Sequence, residues 1–165
     1  MSERDSTAEE LRWLDAVACA DLVRRKEISP SDLVGAAIQR LERINPRLNA
    51  VIHTFIERAR SEAAVAVPGA ASFTGVPFLT KDIGGHGPGE PSHLGTRVLR
   101  DACWCETEGS YYAENARHAG LITLGRTNTP EFALLPTTEP EAYGPTRNPW
   151  NLAYSAGGSS GGAAA

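Results

Sequence analysis

Gly75-Val76-Pro77-Phe78-Leu79-Thr80-Lys81-Asp82 and, later in the chain, Leu121-Ile122-Thr123-Leu124-Gly125 are the segments on which the fold class turns. Each holds a short apolar run bounded by turn formers, the pattern of a buried strand. Residues 108–119 between them have helical composition and end at Gly120, which suits the left-handed conformation that closes a helix. Strand, helix and strand predict two parallel strands with a right-handed crossover, and so an α/β fold. In open sheets of this kind ligands bind beyond the carboxyl ends of the strands. Lys81, Thr127 and Asn128 are therefore expected on one rim.

Upstream the apolar period is helical. Leu11, Leu14, Ala18 and Leu22 form one stripe flanked by Glu9, Glu10, Arg12 and Asp15, which predicts a single amphipathic helix. Ser29-Pro30-Ser31-Asp32 reads as a helix start, with an N-cap serine, a proline at the first helical position and an acid in the first turn. Leu33, Ala37, Leu41 and Ile44 continue that helix to Asn45-Pro46, where the proline predicts its end. A third helix is expected over residues 55–66, before Pro68-Gly69. Residues 1–70 thus read as mainly helical, and residues 71–165 as strand, helix and strand with a glycine–serine loop.

Two glycine-rich segments interrupt this order. Between Lys81 and Glu108 the chain passes Gly84, Gly85, Gly87, Pro88, Gly89 and Pro91 with almost no apolar periodicity. A loop that long in a compact domain is usually functional, and this one could cover a site; a surface excursion is the alternative. The second is Ala156-Gly157-Gly158-Ser159-Ser160-Gly161-Gly162, followed by Ala163-Ala164-Ala165. Two serines between glycine pairs can be held in geometries that ordinary residues resist, and the alanines predict a helix opening behind them. Three readings compete: a flexible linker, a phosphate cradle at a helix N-terminus, and a catalytic serine loop. The linker reading sits badly with the preceding Arg147-Asn148-Pro149-Trp150-Asn151-Leu152, and the phosphate reading lacks the lysine of the Walker pattern.

Composition excludes some classes. With 41% hydrophobic and 22% charged residues the 165-residue chain can build a core, and a net charge of −4 with scattered basic residues leaves no footprint for nucleic acid. The start, Met1-Ser2-Glu3-Arg4-Asp5, shows no apolar signal core, and no segment is long enough to span a bilayer, so a cytoplasmic protein without a membrane partner is expected. Three cysteines do not read as a disulfide framework. Cys103 and Cys105, with His86 and His93 upstream, have loose spacing for a metal, and reduced thiols with no metal site are expected.

A serine attacking an amide needs a base, and histidine is the usual one. His53 lies at a helical edge, His86 and His93 sit in the glycine-rich loop, and His118 falls near a helix end, so each reads as structural or exposed. Lys81 is the alternative. A lysine at a strand exit beneath a covering loop loses hydration, which favours the neutral amine that can accept a proton. Its competing reading is an exposed side chain or an ion pair with Asp82, although neighbouring strand residues point to opposite faces.

These segments together resemble the amidase signature family. The resemblance is carried by Gly75-Val76-Pro77 with Lys81-Asp82, by Ala119-Gly120 with Gly125-Arg126-Thr127-Asn128-Thr129-Pro130-Glu131-Phe132, by Gly144 with Thr146-Arg147-Asn148-Pro149-Trp150, and by Gly157-Gly158-Ser159-Ser160-Gly161-Gly162. Thr137-Thr138-Glu139-Pro140-Glu141-Ala142-Tyr143-Gly144 is especially similar to the branch of the 6-aminohexanoate-cyclic-dimer hydrolases. The resemblance implies that the chain is the N-terminal portion of a single amidase domain, with helices followed by part of the mixed sheet of an α/β/α fold. It implies a Ser–cis-Ser–Lys triad hydrolysing carboxamide C–N bonds of a small-molecule substrate without a cofactor.

The family lysine maps onto Lys81 and the bridging serine, whose preceding peptide is cis, onto Ser159. Gly157, Gly158, Ser160, Thr127 and Asn128 are the implied neighbours of the site. The nucleophilic serine maps to a later Gly-Gly-Ser segment beyond Ala165, which predicts that this chain alone is inactive. Arg126 stands where many members have lysine, and residues 86–96 depart from the usual Thr-Thr-Gly-Ser pattern. Two alternatives remain: an inactive binding or interaction module, and the glutaminase subunit of a tRNA-dependent amidotransferase. The sequence specifies neither the amide substrate nor the oligomeric state.

Overall fold

The computed structural model describes residues 10–165. The start of the chain and Glu9, at the head of the first expected helix, lie outside the described residues. The single N-terminal helix expected from the sequence is interrupted: the chain turns at residues 12–13, and α1 spans Ala16–Arg24. The cause is Asp15, whose side chain accepts the Ala18 N–H at 2.8 Å from an extended backbone. That cap starts a new helix.

Helix α2 spans Pro30–Leu48. It starts as the sequence predicts, with Ser29 Oγ accepting the Asp32 N–H at 3.1 Å. Its end differs, because Pro46 lies inside the helix. The Asn49 N–H still reaches the Asn45 carbonyl at 2.8 Å, closing the turn around the proline. Asn45 Oδ1 then accepts the N–H groups of Ala50 and Val51 at 2.9 and 2.8 Å, so one side chain carries the chain out of the helix. Asn49, at φ 51, makes the left-handed turn that asparagine tolerates.

The remaining elements are β1 (Val51–Thr54), α3 (Ile56–Val65), β2 (Pro77–Lys81), α4 (Arg97–Asp101), α5 (Tyr111–His118), β3 (Ile122–Thr127), a 3₁₀ turn (Glu131–Ala133), β4 (Arg147–Asn148), β5 (Asn151–Ser155) and α6 (Gly161–Ala164). β1, β3 and β2 form one sheet in that order, and β4 pairs antiparallel with β5. β1 runs antiparallel to β3, with Val51 opposite Thr127 and Thr54 opposite Gly125. Along β2 and β3 the register advances in one direction, from Ile122 N–H to the Val76 carbonyl to Asp82 N–H to the Thr127 carbonyl. These two strands are parallel, and the sheet is mixed. β1 went unread in the sequence because four residues between two helices are too few to show alternation. No helix among the described residues is long and apolar enough to cross a membrane.

The chain divides into two compact units. The first holds the residues up to Arg43 with residues 55–78 and 115–124, and its core is apolar. Leu11, Cys19, Ala20, Val23, Leu33 and Val76 form it, with Phe73 and Leu121 packed against them. The second holds residues 44–54, 79–114 and 125–165. Its interior is polar: Asp82, Arg126, Thr127, Asn128, Thr129, Thr138 and Thr146 are all buried. Buried polar groups persist only when paired, so this unit is organised by hydrogen bonds.

Gly125 marks the tightest strand contact, since a Cβ there would lie 2.2 Å from the His53 carbonyl oxygen. Gly125→Ala is expected to lower stability by about 2–3 kcal/mol through overpacking. Gly35 lies in α2, where an added Cβ meets nothing within 4 Å. Gly35→Ala is expected to raise stability by about 0.5–1 kcal/mol. Urea denaturation midpoints separate the two, and a neutral Gly125→Ala would contradict the β1–β3 contact.

Candidate active site

Lys81 ends β2, and its side chain leaves the strand on the face opposite Asp82. Nζ donates to Ser159 Oγ at 2.8 Å and to Ser160 Oγ at 3.0 Å. The strand exit and the glycine–serine loop therefore meet across 78 residues of sequence. Ser159 is half-buried and Ser160 exposed. The Gly158–Ser159 peptide is cis.

The loop is clamped from behind. Thr129 Oγ1 donates to the Ser159 carbonyl at 3.1 Å, and the Gly161 N–H donates to Thr138 Oγ1 at 3.0 Å. Between them Gly158 lies against the Thr137 backbone, where a Cβ would fall 2.6 Å from the Thr137 carbonyl oxygen. Thr129 and Thr138 are absent from the sequence-level site. Their only signal is position within runs of small polar residues, which tells nothing of the loop they meet.

Thr127 ends β3 and Asn128 follows it, its carbonyl accepting the Gly162 N–H at 3.2 Å. Both are buried. Thr127 Oγ1 donates to the Thr80 carbonyl at 3.4 Å, while Asn128 Nδ2 donates to the Gly144 carbonyl and to Thr146 Oγ1, each at 3.0 Å. Their polar atoms are engaged with the protein. Gly157, at φ 81, supplies the turn into the loop.

Burial holds the Lys81 amine below its ordinary value, which favours the neutral form. A neutral amine in hydrogen-bond contact with a hydroxyl can take that hydroxyl's proton. The arrangement is chemically a base paired with a serine, with a second serine within reach.

Asp82 makes no pair with Lys81. Its Oδ1 lies 3.3 Å from Arg126 Nε, and both side chains are fully buried. Arg126 Nη2 donates to the Lys81 carbonyl at 2.9 Å, and Nη1 lies 3.7 Å from Glu90 Oε2. The same two carboxylates hold the glycine-rich loop. Asp82 accepts the N–H groups of His93 and Gly95 at 3.2 and 3.1 Å, and Glu90 accepts that of Gly87 at 2.8 Å.

The histidines are distributed as structural groups. Tyr143 OH bridges His93 Nδ1 and His53 Nε2, the latter at 3.1 Å, and burial pushes the phenol well above its usual range. His86 lies 4.0 Å from Glu106, and His118 is an exposed neighbour of Arg117. Cys103 and Cys105 are exposed free thiols, and no cluster of metal-ligating side chains occurs among the described residues.

The family model described as Amidase matches residues 32–165. The 6-aminohexanoate-cyclic-dimer hydrolase of Paenarthrobacter ureafaciens is 43% identical over 153 residues, which are 93% of this chain and 30% of that protein. The chain thus spans less than a third of that relative's length. A solved structure of 6-aminohexanoate cyclic dimer hydrolase matches with a TM-score of 0.86 at 43% identity, over 91% of this chain and 30% of that one. A bacterial aryl acylamidase of the amidase signature family matches with a TM-score of 0.85 at 38% identity, over 92% of this chain and 32% of that one.

His53 provides a test of the buried cluster. Burial is the largest cause holding its imidazole below the ordinary value of 6.5, opposed in part by Asp82. The unfolded chain therefore binds this proton more readily, and stability is lost as pH falls through about 6.5 toward the lowered folded value. The urea midpoint is expected to drop between about pH 7 and about pH 5, and to drop less in His53→Gln. An equal drop in the variant would remove His53 as the cause.

Proposed function

The chain belongs to the amidase family, and from that premise we propose that Lys81 and Ser159 are the lysine and bridging serine of a Ser–cis-Ser–Lys triad that hydrolyses carboxamides. The observation that carries this reading is the 2.8 Å contact from Lys81 Nζ to Ser159 Oγ at the junction of a strand exit and a glycine–serine loop. In the complete enzyme the neutral lysine takes the proton of Ser159 as Ser159 takes that of the nucleophilic serine, and the nucleophile attacks the amide carbonyl. The relay then runs backwards to protonate the departing amine, and water releases the acid. The nucleophile is assigned to a Gly-Gly-Ser segment outside these 165 residues, and Ser160 to a neighbouring role. The substrate class is a small-molecule amide, and the relay uses side chains alone.

The proposal predicts two activities. The purified 165-residue chain shows no measurable hydrolysis of a simple aryl amide, because attack and oxyanion stabilisation are each large contributions. The chain fused to the following part of the Paenarthrobacter relative hydrolyses the amide. Lys81→Ala or Ser159→Ala then lowers kcat by a factor of about 1,000 or more. A fused enzyme that keeps its activity in both variants would refute the assignment, and hydrolysis by the chain alone that Ser160→Ala abolishes would make Ser160 the nucleophile. A fused protein that folds and stays inactive favours the interaction-module reading.

A further inference from the structure

Arg126 is the largest fully buried side chain among the described residues, and three of its nitrogens face three different partners. A guanidinium is a planar fork of five donors that cannot be deprotonated, so its contacts have fixed relative directions. Here Nε faces Asp82, Nη1 faces Glu90, and Nη2 donates to the main-chain carbonyl of Lys81. The two acids hold the guanidinium, and the guanidinium holds the last residue of β2. A buried cation with two buried carboxylates has little freedom to move, because breaking either pair leaves a charge uncompensated away from water.

We propose that Arg126 is a positioning residue for Lys81: by fixing the Lys81 carbonyl against Asp82 and Glu90, it sets the direction from which Nζ reaches Ser159. The proposal rests on the reading of Lys81 and Ser159 as a relay pair. The Arg126 bond acts directly on the Lys81 peptide. Arg126 does not touch the hydroxyls, so its effect passes through the lysine. The same acids bind the N–H groups of Gly87, His93 and Gly95, so the glycine-rich loop and the lysine are set by one ion cluster.

Lys26 and Lys81 are the only two lysines of the chain, so lysine-selective NMR of the 165-residue protein resolves the Lys81 signal. In the wild-type protein the Lys81 amine is expected to titrate below the ordinary lysine value of 10.5. Arg126→Met should return its midpoint most of the way to that ordinary value, because a released amine hydrates. Arg126→Lys, with one ammonium in place of the fork, should return it part of the way. A folded Arg126→Met with a wild-type Lys81 midpoint overturns the proposal.

Should that variant not fold, Arg126→Lys decides by the same criterion. The wild-type protein decides without a variant: a scalar coupling across the bond from Arg126 Nη2 to the Lys81 carbonyl carbon supports the proposal, and its absence overturns it. Ser159→Ala tests the relay reading separately. A Lys81 midpoint that ignores Ser159→Ala sinks the relay pair, whereas one that responds to Ser159→Ala and ignores folded Arg126→Met sinks only the positioning role.

Discussion

The buried pairing of Arg126 with Asp82 and Glu90 is the interaction on which the second unit depends. Charges removed from water persist only where partners stand in fixed geometry, and here one guanidinium answers two carboxylates. Those carboxylates also accept main-chain N–H groups of the glycine-rich loop: His93 on the Asp82 Oδ1 that faces Arg126, Gly95 on Asp82 Oδ2, and Gly87 on the Glu90 Oε2 that faces Arg126. A segment with almost no apolar periodicity therefore still has a defined path. Its glycines bring N–H groups close to the acids, and hydrogen bonds take the place of an apolar core.

The two units show the two ways a chain can fill an interior. The first buries Val23, Leu33 and Val76 and gains from the removal of apolar area from water. The second buries threonines, an asparagine, an arginine and an aspartate, which contribute little by area and much by direction. Thr129 and Thr138 bond the serine loop, and Arg126 bonds the end of β2.

Local patterns were legible where the cause is local. The start of α2 follows from Ser29-Pro30 and the apolar stripe behind it, and the parallel strands follow from two short apolar runs flanking a helix. The failures share one form. Asp15 splits the first helix by capping Ala18, and Asn45 carries α2 past Pro46 by accepting two N–H groups beyond the helix. A side chain chose its backbone partner among several that the sequence offers equally. β1 was hidden for a related reason: its four residues become a strand by pairing with β3, which lies far along the chain.

The sequence by itself determined the residue types of the site and their order. A lysine at a strand exit and two serines between glycine pairs are chemical statements that survive without coordinates. Tertiary structure decided which of these groups touch. It turned Lys81 toward both serines, paired Asp82 with Arg126 instead of its chain neighbour, and engaged the side chains of Thr127 and Asn128 with Thr80, Gly144 and Thr146. Residue chemistry belongs to each side chain alone, whereas contact depends on burial and on partners far along the chain, which are fixed only when the whole unit closes.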